Sequence, residues 1–175
     1  MLEDMALAEQ PIPHRFTVED YLQNAFEDCT ELVEGVVYDV SPERSVHSQA
    51  VLKAFEALRL MFPGQLVLGF GSVRLGRRSL WDPDAYVLRA DADTKRDYPL
   101  GSELEMVVEV SVSTFVHDRG VKLAAYARAG IPRYWIIQPD KNLLWDCSDP
   151  EDGEYRVSQV SLPETWTAED LFREF

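Results

Sequence analysis

Residues 104–139 contain the pattern that decides the fold: LEMVVEVSV (104–112), DRGVKLAAYARAG (118–130) and RYWIIQP (133–139). The first segment is a short run dense in valine, which is typical of a buried central strand. The second segment has helical composition and ends at Gly130, a residue type that commonly closes a helix. The third is again rich in β-branched and aromatic residues, which favour strands. A strand, a helix and a strand in this order predict an α/β or α+β fold, with a central mixed sheet flanked by helices.

The preceding half of the chain continues this mixed pattern. ELVEGVVYDVS (31–41) predicts a hairpin or a bulged strand pair around Gly35. Apolar residues at helical spacing then predict a long helix from about Ser45 to Phe62, ended by Pro63 and Gly64. The side chains expected to be buried on that helix are Val51, Leu52, Phe55 and Leu58. QLVLGFGSVRLG (65–76) and DPDAYVLRA (82–90) are interpreted as strands.

Length and composition favour one globular domain. The chain has 175 residues, of which 46% are hydrophobic and 27% are charged, so it can bury a core without disulfides or structural metal. We predict an N-terminal arm over residues 1–16 and a single domain over residues 17–175. Cys29 and Cys147 have neither zinc spacing nor a CxxC arrangement, and we interpret them as free thiols of a reducing cytoplasm. No apolar run approaches the ~20 residues that span a bilayer, and the acidic N-terminus lacks a signal pattern.

The net charge of −14 argues against a general nucleic-acid binder. The acidic excess lies in the flanks, because residues 1–34 and 148–175 together carry 17 acidic and three basic residues. Residues 35–147 carry 14 of each sign and are neutral. Solvated flanks are the simpler interpretation, but a neutral middle segment could also approach a polyanion with the help of a metal ion.

Glu109 is the residue most suggestive of chemistry. It lies among valines in the predicted central strand, where a carboxylate is costly to bury unless it is paired or binds metal. The alternative is a solvent-facing glutamate on a half-exposed strand.

Asp84 and Lys122 complete a candidate set with Glu109. Asp84 enters a neighbouring strand, although an aspartate after Pro83 can also simply end a turn. Lys122 lies on the helix after the Glu109 strand and could fold back toward it, or could be an ordinary solvated lysine. We expect that its removal leaves the fold intact, because trimming one helix-face lysine costs little stability. Two carboxylates on adjacent strands offer oxygen ligands to a hard cation such as magnesium, so the set predicts metal-assisted hydrolysis.

Three segments together resemble the Uma-two family, bacterial proteins of the restriction-endonuclease-like PD-(D/E)XK nuclease superfamily. They are ELVEGVVYDVSPERSVH (31–47), DPDAYVL (82–88) and VVEVSVSTFVHDRGVKLAAYARAGIPRYWIIQP (107–139). A PD pair alone is a weak signal, but its combination with VVEVS, DR, K, YA-AGI and YWI is specific.

The resemblance implies a restriction-endonuclease-like core and a magnesium-dependent or manganese-dependent hydrolase that cleaves nucleic acid, with DNA the expected substrate. It implies that Asp84 and Glu109 are metal ligands and that Glu31 is a further acidic member of the site. Ser111 stands where the usual lysine would be, so the resemblance assigns that role to Lys122 on the following helix. His47 matches a family histidine without an assigned role. Restriction-like enzymes that cut both strands of a duplex often act as pairs, so by analogy we expect a homodimer.

Two other functions stay open at this stage. The relocated lysine and the acidic composition are compatible with a catalytically degenerate nuclease fold that acts as a binding or regulatory module. A metal-dependent hydrolase of a small phosphoester is the third possibility, which would need a small closed pocket around Glu109 rather than an open groove.

Overall fold

A computed structural model describes residues 15–24, 29–40 and 44–173. Most of the predicted N-terminal arm, residues 1–14, lies outside the described residues. The last two residues of the predicted arm, Arg15 and Phe16, are described, and the backbone N–H of Phe16 donates to the Gly35 carbonyl at 2.9 Å. The boundary between an arm and a domain stays a prediction.

Helices are separated by groups of two or more strands along the chain, which is the mixed order that the sequence predicts. The helices are α1 (Val18–Gln23), α2 (Ser45–Met61), α3 (Phe115–His117), α4 (Leu123–Arg128) and α5 (Ala168–Phe172), and a π-helical turn, Asp118–Lys122, joins α3 to α4. The strands are β1 (Thr30–Val33), β2 (Val36–Asp39), β3 (Val67–Leu68), β4 (Val73–Arg74), β5 (Leu80–Trp81), β6 (Ala85–Leu88), β7 (Leu104–Val110), β8 (Arg133–Gln138), β9 (Leu143–Glu151) and β10 (Glu154–Ser161).

The central sheet has six strands in the order β10-β9-β8-β7-β6-β3. β7 and β8 are parallel, with Glu109 beside Ile136, because the intervening helical segment returns the chain to the same end of the sheet. The other neighbours in this sheet are antiparallel. The predicted mixed sheet flanked by helices is confirmed.

A smaller sheet has the order β2-β1-β5-β4. Its β1–β2 hairpin turns at Glu34 and Gly35, whose φ angles are 50° and 84°. Both turn residues therefore occupy the left-handed region, which glycine adopts without steric cost. The hairpin predicted around Gly35 is confirmed.

The two faces of the central sheet bury separate hydrophobic clusters. Val108 belongs to the cluster beneath α2 and α5, whereas Val107 belongs to the cluster beneath α4. Successive strand residues point to opposite faces, so Glu109 shares the α4 face with Val107. Tyr86 of β6 lies in the same α4-side cluster, and alternation places Asp84 on that face as well. The strand pattern therefore directs Glu109 toward the helical segment that carries Lys122.

One prediction for the long helix is wrong. Val51 and Leu58 are buried and Phe55 packs partly buried against the core, but Leu52 is 63% exposed. The buried face includes three small residues beside the larger ones, namely Ala50, Ala54 and Ala57. Leu52 is two positions from both Ala50 and Ala54, which places it on the opposite side of a helix with 3.6 residues per turn. Leu52 was expected in the core because it is large and apolar, but the core positions on either side of it are occupied by alanines.

Two smaller findings complete the fold. Cys29 is exposed, Cys147 is buried, and both are free thiols as predicted. Among the helices that the structure describes, none has the length and apolar character needed to cross a membrane.

Candidate active site

Asp84 and Glu109 meet where β6 and β7 pair. Ala85 lies opposite Val108 in the antiparallel register, so Asp84 lies next to Glu109 across the two strands. The backbone N–H of Val110 donates to Asp84 Oδ2 at 2.6 Å. Because this hydrogen bond ties the aspartate to β7, the separation of the two carboxylates is set by the sheet.

Lys122 is buried and lies at the centre of three carboxylates. Its Nζ donates to Glu109 Oε1 at 2.8 Å, and lies 3.7 Å from Glu31 Oε1 and 4.0 Å from Asp118 Oδ1. The residue is only 6% exposed. A solvated position for this lysine is therefore wrong. Its removal would leave buried carboxylates without their cation, so we expect a larger loss of stability than the sequence indicated.

Tyr126 also binds Glu109. Its hydroxyl donates to the same oxygen, Oε1, at 2.7 Å, and its ring packs edge-on against Trp81 with centroids 5.2 Å apart. Both donors therefore go to one carboxylate oxygen. Within the described part of the chain, no hydrogen bond is recorded to the other oxygen, Oε2.

Glu31 reaches this group from the small sheet. It is 7% exposed, and its Oε1 accepts the backbone N–H of Asp82 at 3.2 Å. The structure therefore brings Glu31, Asp84, Glu109 and Lys122 into one place, while their catalytic and metal-binding roles stay predictions.

Four side chains that can carry positive charge, one histidine and three arginines, divide into two groups. His47, near the start of α2, places Nε2 at 3.2 Å from each oxygen of Asp84. Arg74, in contrast, pairs with Glu19 at 2.7 Å. Neither Arg74 nor its neighbours Arg77 and Arg78 line the pocket around Asp84. His47 is thus a member of the site, and these three arginines are not.

Sequence reasoning missed Asp118 and Tyr126 as members of the site. Both lie four residues from Lys122, one on each side, and residues at this spacing share a helix face. Asp118 is 2% exposed and Tyr126 is fully buried. The signal that could have found them is this spacing, applied to a lysine already expected to face the sheet.

Burial dominates the electrostatics of the acidic residues. It raises the pKa of Glu109 well above the usual value; Lys122 opposes the shift, and Asp84, Asp118 and Glu31 add to it. Burial also raises the pKa of Glu31, again against the effect of Lys122. For Lys122, burial acts to lower the pKa, but Glu109, Glu31 and Asp118 outweigh it and the pKa is raised.

These shifts predict how stability depends on pH without divalent ions. A carboxyl group whose folded pKa is raised stabilises the fold below its unfolded value of about 4.5, and this contribution is lost as the pH rises through the folded pKa. We therefore expect the Tm of the metal-free protein to fall as the pH rises above about 4.5, and Glu109→Gln to flatten this decline. The measurement is a series of thermal melts in EDTA. Equal slopes for Glu109→Gln and wild type would contradict the assignment to Glu109.

The site opens into a pocket of about 310 Å³. The carboxylates that line it are Glu31, Asp39, Asp82, Asp84, Glu109 and Asp118. Among the described lining residues, Arg44 and Lys122 are the two with fixed positive charge. The pocket therefore has an excess of negative charge that suits a cation. Within residues 15–24, 29–40 and 44–173, however, no three histidine, cysteine, aspartate or glutamate side chains form a group that could hold a metal ion.

Comparison with known proteins decides the family. The sequence profile of Uma2, described as "Putative restriction endonuclease", matches residues 18–175. The chain belongs to the Uma2 family. The resemblance stated from the sequence is thus confirmed, and the acidic pocket is a feature of a Uma2 protein.

A solved structure supports the fold of this Uma2 chain. It is described as a "putative nuclease belonging to DUF820" from Anabaena variabilis ATCC 29413, and it is 16% identical in sequence. The two superpose with a TM-score of 0.63 over 90% of this chain and 98% of that one. No match was found among curated proteins.

Proposed function

We propose that this Uma2 protein is a divalent-metal-dependent endonuclease that hydrolyses phosphodiester bonds of nucleic acid in the acidic pocket. The observation that carries the proposal is the contact of a buried lysine with Glu109, beside Asp84 on the adjacent strand. Two acidic residues and a lysine are the groups that the PD-(D/E)XK resemblance implies. The family description and that of the structural neighbour name the same class of activity.

Asp84 and Glu109 have the donor chemistry that suits a hard divalent cation, although the described residues form no preassembled three-ligand group. Asp84 and Glu109 provide carboxylate oxygens, which magnesium and manganese prefer. Glu109 Oε1 is already bonded to Lys122 and Tyr126, which makes Oε2 the candidate ligand atom. A bound divalent ion would supply Lewis-acid activation of the phosphodiester.

Lys122 has hydrogen-bonding capacity beyond its bond to Glu109. An ammonium group has three donors, and the 3.7 Å and 4.0 Å separations from Glu31 and Asp118 are too long for hydrogen bonds. Two donors therefore have no acceptor at hydrogen-bond distance among the described residues, and we propose that they serve a water molecule or a phosphate oxygen in the pocket. In this role Lys122 orients the nucleophile or stabilises charge in the transition state.

Tyr126 tests the assignment of Glu109 as a ligand. We expect Tyr126→Phe to weaken manganese binding by about 10-fold, the lower end of what loss of a ligand's hydrogen-bond partner costs. The reason is that the hydroxyl stabilises the ionised carboxylate, so its loss raises the pKa of Glu109 further and moves metal binding to higher pH. Calorimetric titration at several pH values measures both effects.

Tyr155→Phe is the matched control for that variant. Its hydroxyl is also in a buried hydrogen bond, to the Ile131 carbonyl at 2.7 Å, but the residue does not line the pocket. We expect it to lose some stability and to keep wild-type manganese binding. An unchanged pH dependence of binding in Tyr126→Phe would exclude the proposed role of the hydroxyl.

The acidic pocket also favours one alternative. An excess of carboxylates without a preformed three-ligand group is compatible with a degenerate nuclease fold that acts as a binding or regulatory module. Cleavage assays on single-stranded and double-stranded DNA and RNA, with magnesium, manganese or EDTA, separate the two functions. Metal-dependent cleavage that EDTA abolishes supports the nuclease. No cleavage of any substrate and no manganese binding at millimolar concentration would favour the module.

A further inference from the structure

An aromatic residue lies at the rim of the acidic pocket. Tyr38 of β2 lines the pocket and is 48% exposed. Its ring centroid is 6.1 Å from that of His117, which also lines the pocket and lies on α3. Val40, 43% exposed, and Val112 extend this part of the lining. The pocket thus combines a buried acidic centre with an accessible ring face.

The charge of the pocket limits what phosphate contacts can contribute. Affinity for duplex DNA depends largely on lysine and arginine residues that neutralise phosphates and release counterions. Among the described pocket residues only Arg44 and Lys122 carry fixed positive charge, against six carboxylates. Lys122 is also buried and bonded to Glu109. Fixed side-chain charges therefore add little to what a bound divalent ion would contribute, and a contact that does not depend on charge would add affinity.

The size of the pocket also favours an unpaired nucleic acid over an intact duplex. At about 310 Å³ it is at the lower end of the range for small-molecule sites. A volume of this size accommodates a group comparable to one nucleotide, and a base inside a duplex must leave the stack before it can enter such a site.

We propose that the pocket is selective for unpaired nucleic acid, and that a base next to the phosphodiester at the acidic centre stacks on Tyr38. This inference rests on the proposed nuclease function and names its substrate class. Stacking on an aromatic ring tolerates any base and requires no positive charge. It therefore supplies affinity where the pocket lacks cations.

The experiment is a fluorescence titration with oligonucleotides of about 12 nucleotides, within the range of known single-strand site sizes. Each contains one 2-aminopurine, whose emission is quenched on stacking. DNA and RNA strands are compared with their duplexes, in calcium to measure binding and in magnesium or manganese to measure cleavage. We expect single strands to bind more tightly than duplexes. The logarithmic salt dependence should be no steeper than about −1.4, which corresponds to two phosphate contacts.

Substitution of Tyr38 tests the stacking contact. Tyr38→Ala should weaken single-strand binding by about 10-fold and remove the quenching, whereas Tyr38→Phe should keep both because it keeps the ring. Phe172→Ala is the matched control, since Phe172 is 45% exposed and does not line the pocket. It should bind as wild type does.

The outcomes separate this inference from the nuclease proposal. Tyr38-dependent binding without cleavage would overturn the nuclease function and leave base stacking supported. Cleavage that is equally efficient in Tyr38→Ala, or tighter binding of duplexes, would overturn the inference and leave the nuclease supported. An absence of binding to any single strand would also overturn it.

Discussion

Lys122→Ala should lower the free energy of unfolding by about 3–5 kcal/mol, the usual cost of removing one partner from a buried ion pair. The reason is that Glu109, Glu31 and Asp118 would stay buried around the vacated position without their cation. This is a large share of the roughly 5–15 kcal/mol that stabilises a typical domain. Urea denaturation followed by circular dichroism measures it. The deficit should shrink at low pH, where the carboxyl groups become protonated and neutral.

Two further variants separate charge from side-chain volume. Lys95→Ala removes an exposed lysine and should change stability by less than about 0.5 kcal/mol. The double variant Lys122→Met with Glu109→Gln replaces both partners by neutral groups of similar size, and should be more stable than Lys122→Met alone. Equal stability of Lys122→Met and the double variant would show that the pairing with Glu109 is not the source of the loss.

Glu109→Gln and Asp84→Ala should each reduce nuclease activity by about 10²–10³-fold or more, the scale on which loss of one electrostatic group at a reaction centre acts. Both variants should lose manganese binding as well, because each reduces the proposed ligand set to one carboxylate. Steady-state cleavage of the best substrate and calorimetric titration with manganese provide the two measurements.

Glu105→Gln is the matched control for the loss of activity. Glu105 lies on the same strand, pairs with Arg89 at 3.8 Å and does not line the pocket. Its replacement should leave both activity and manganese binding at wild-type levels. Full activity in Glu109→Gln would remove Glu109 from the mechanism and with it the proposed metal site.

The sequence predicted those parts of the site whose residues are close together along the chain. Glu109 and Lys122 are 13 residues apart, on a strand and the helical segment that follows it, so their contact needs only this one unit to fold. Asp84 is placed beside Glu109 by the pairing of β6 with β7, and the valine-rich sequence of β7 indicates that it is a central strand. Glu31 came from the family resemblance, because its position depends on how the small sheet packs against the large one.

The errors have physical causes as well. Leu52 was predicted to be buried because it was grouped with its apolar neighbours on one helix face, whereas Ala50 and Ala54, two positions away on either side, contribute to the contact face of α2. Lys122 was allowed a solvated position because a lone lysine on a helix is ordinarily exposed. Its burial also depends on Glu31, which the small sheet brings in from a distant part of the chain, and a local pattern does not display that contact.

The acidic residues and the lysine of the site lie on different kinds of structural element, paired strands and a helical segment. Asp84 and Glu109 are held by the hydrogen-bonded register of β6 and β7, so their relative position can change only if the sheet itself deforms. Lys122 and Tyr126 approach on a helical segment that packs onto that sheet through side chains and is widened by a π-helical turn at Asp118–Lys122. A small slide or rotation of this segment would change both contacts to Glu109 without disturbing a single strand pair. The acidic half of the site is thus built into the sheet, whereas Lys122 and Tyr126 are held against it by side-chain packing of a helical segment.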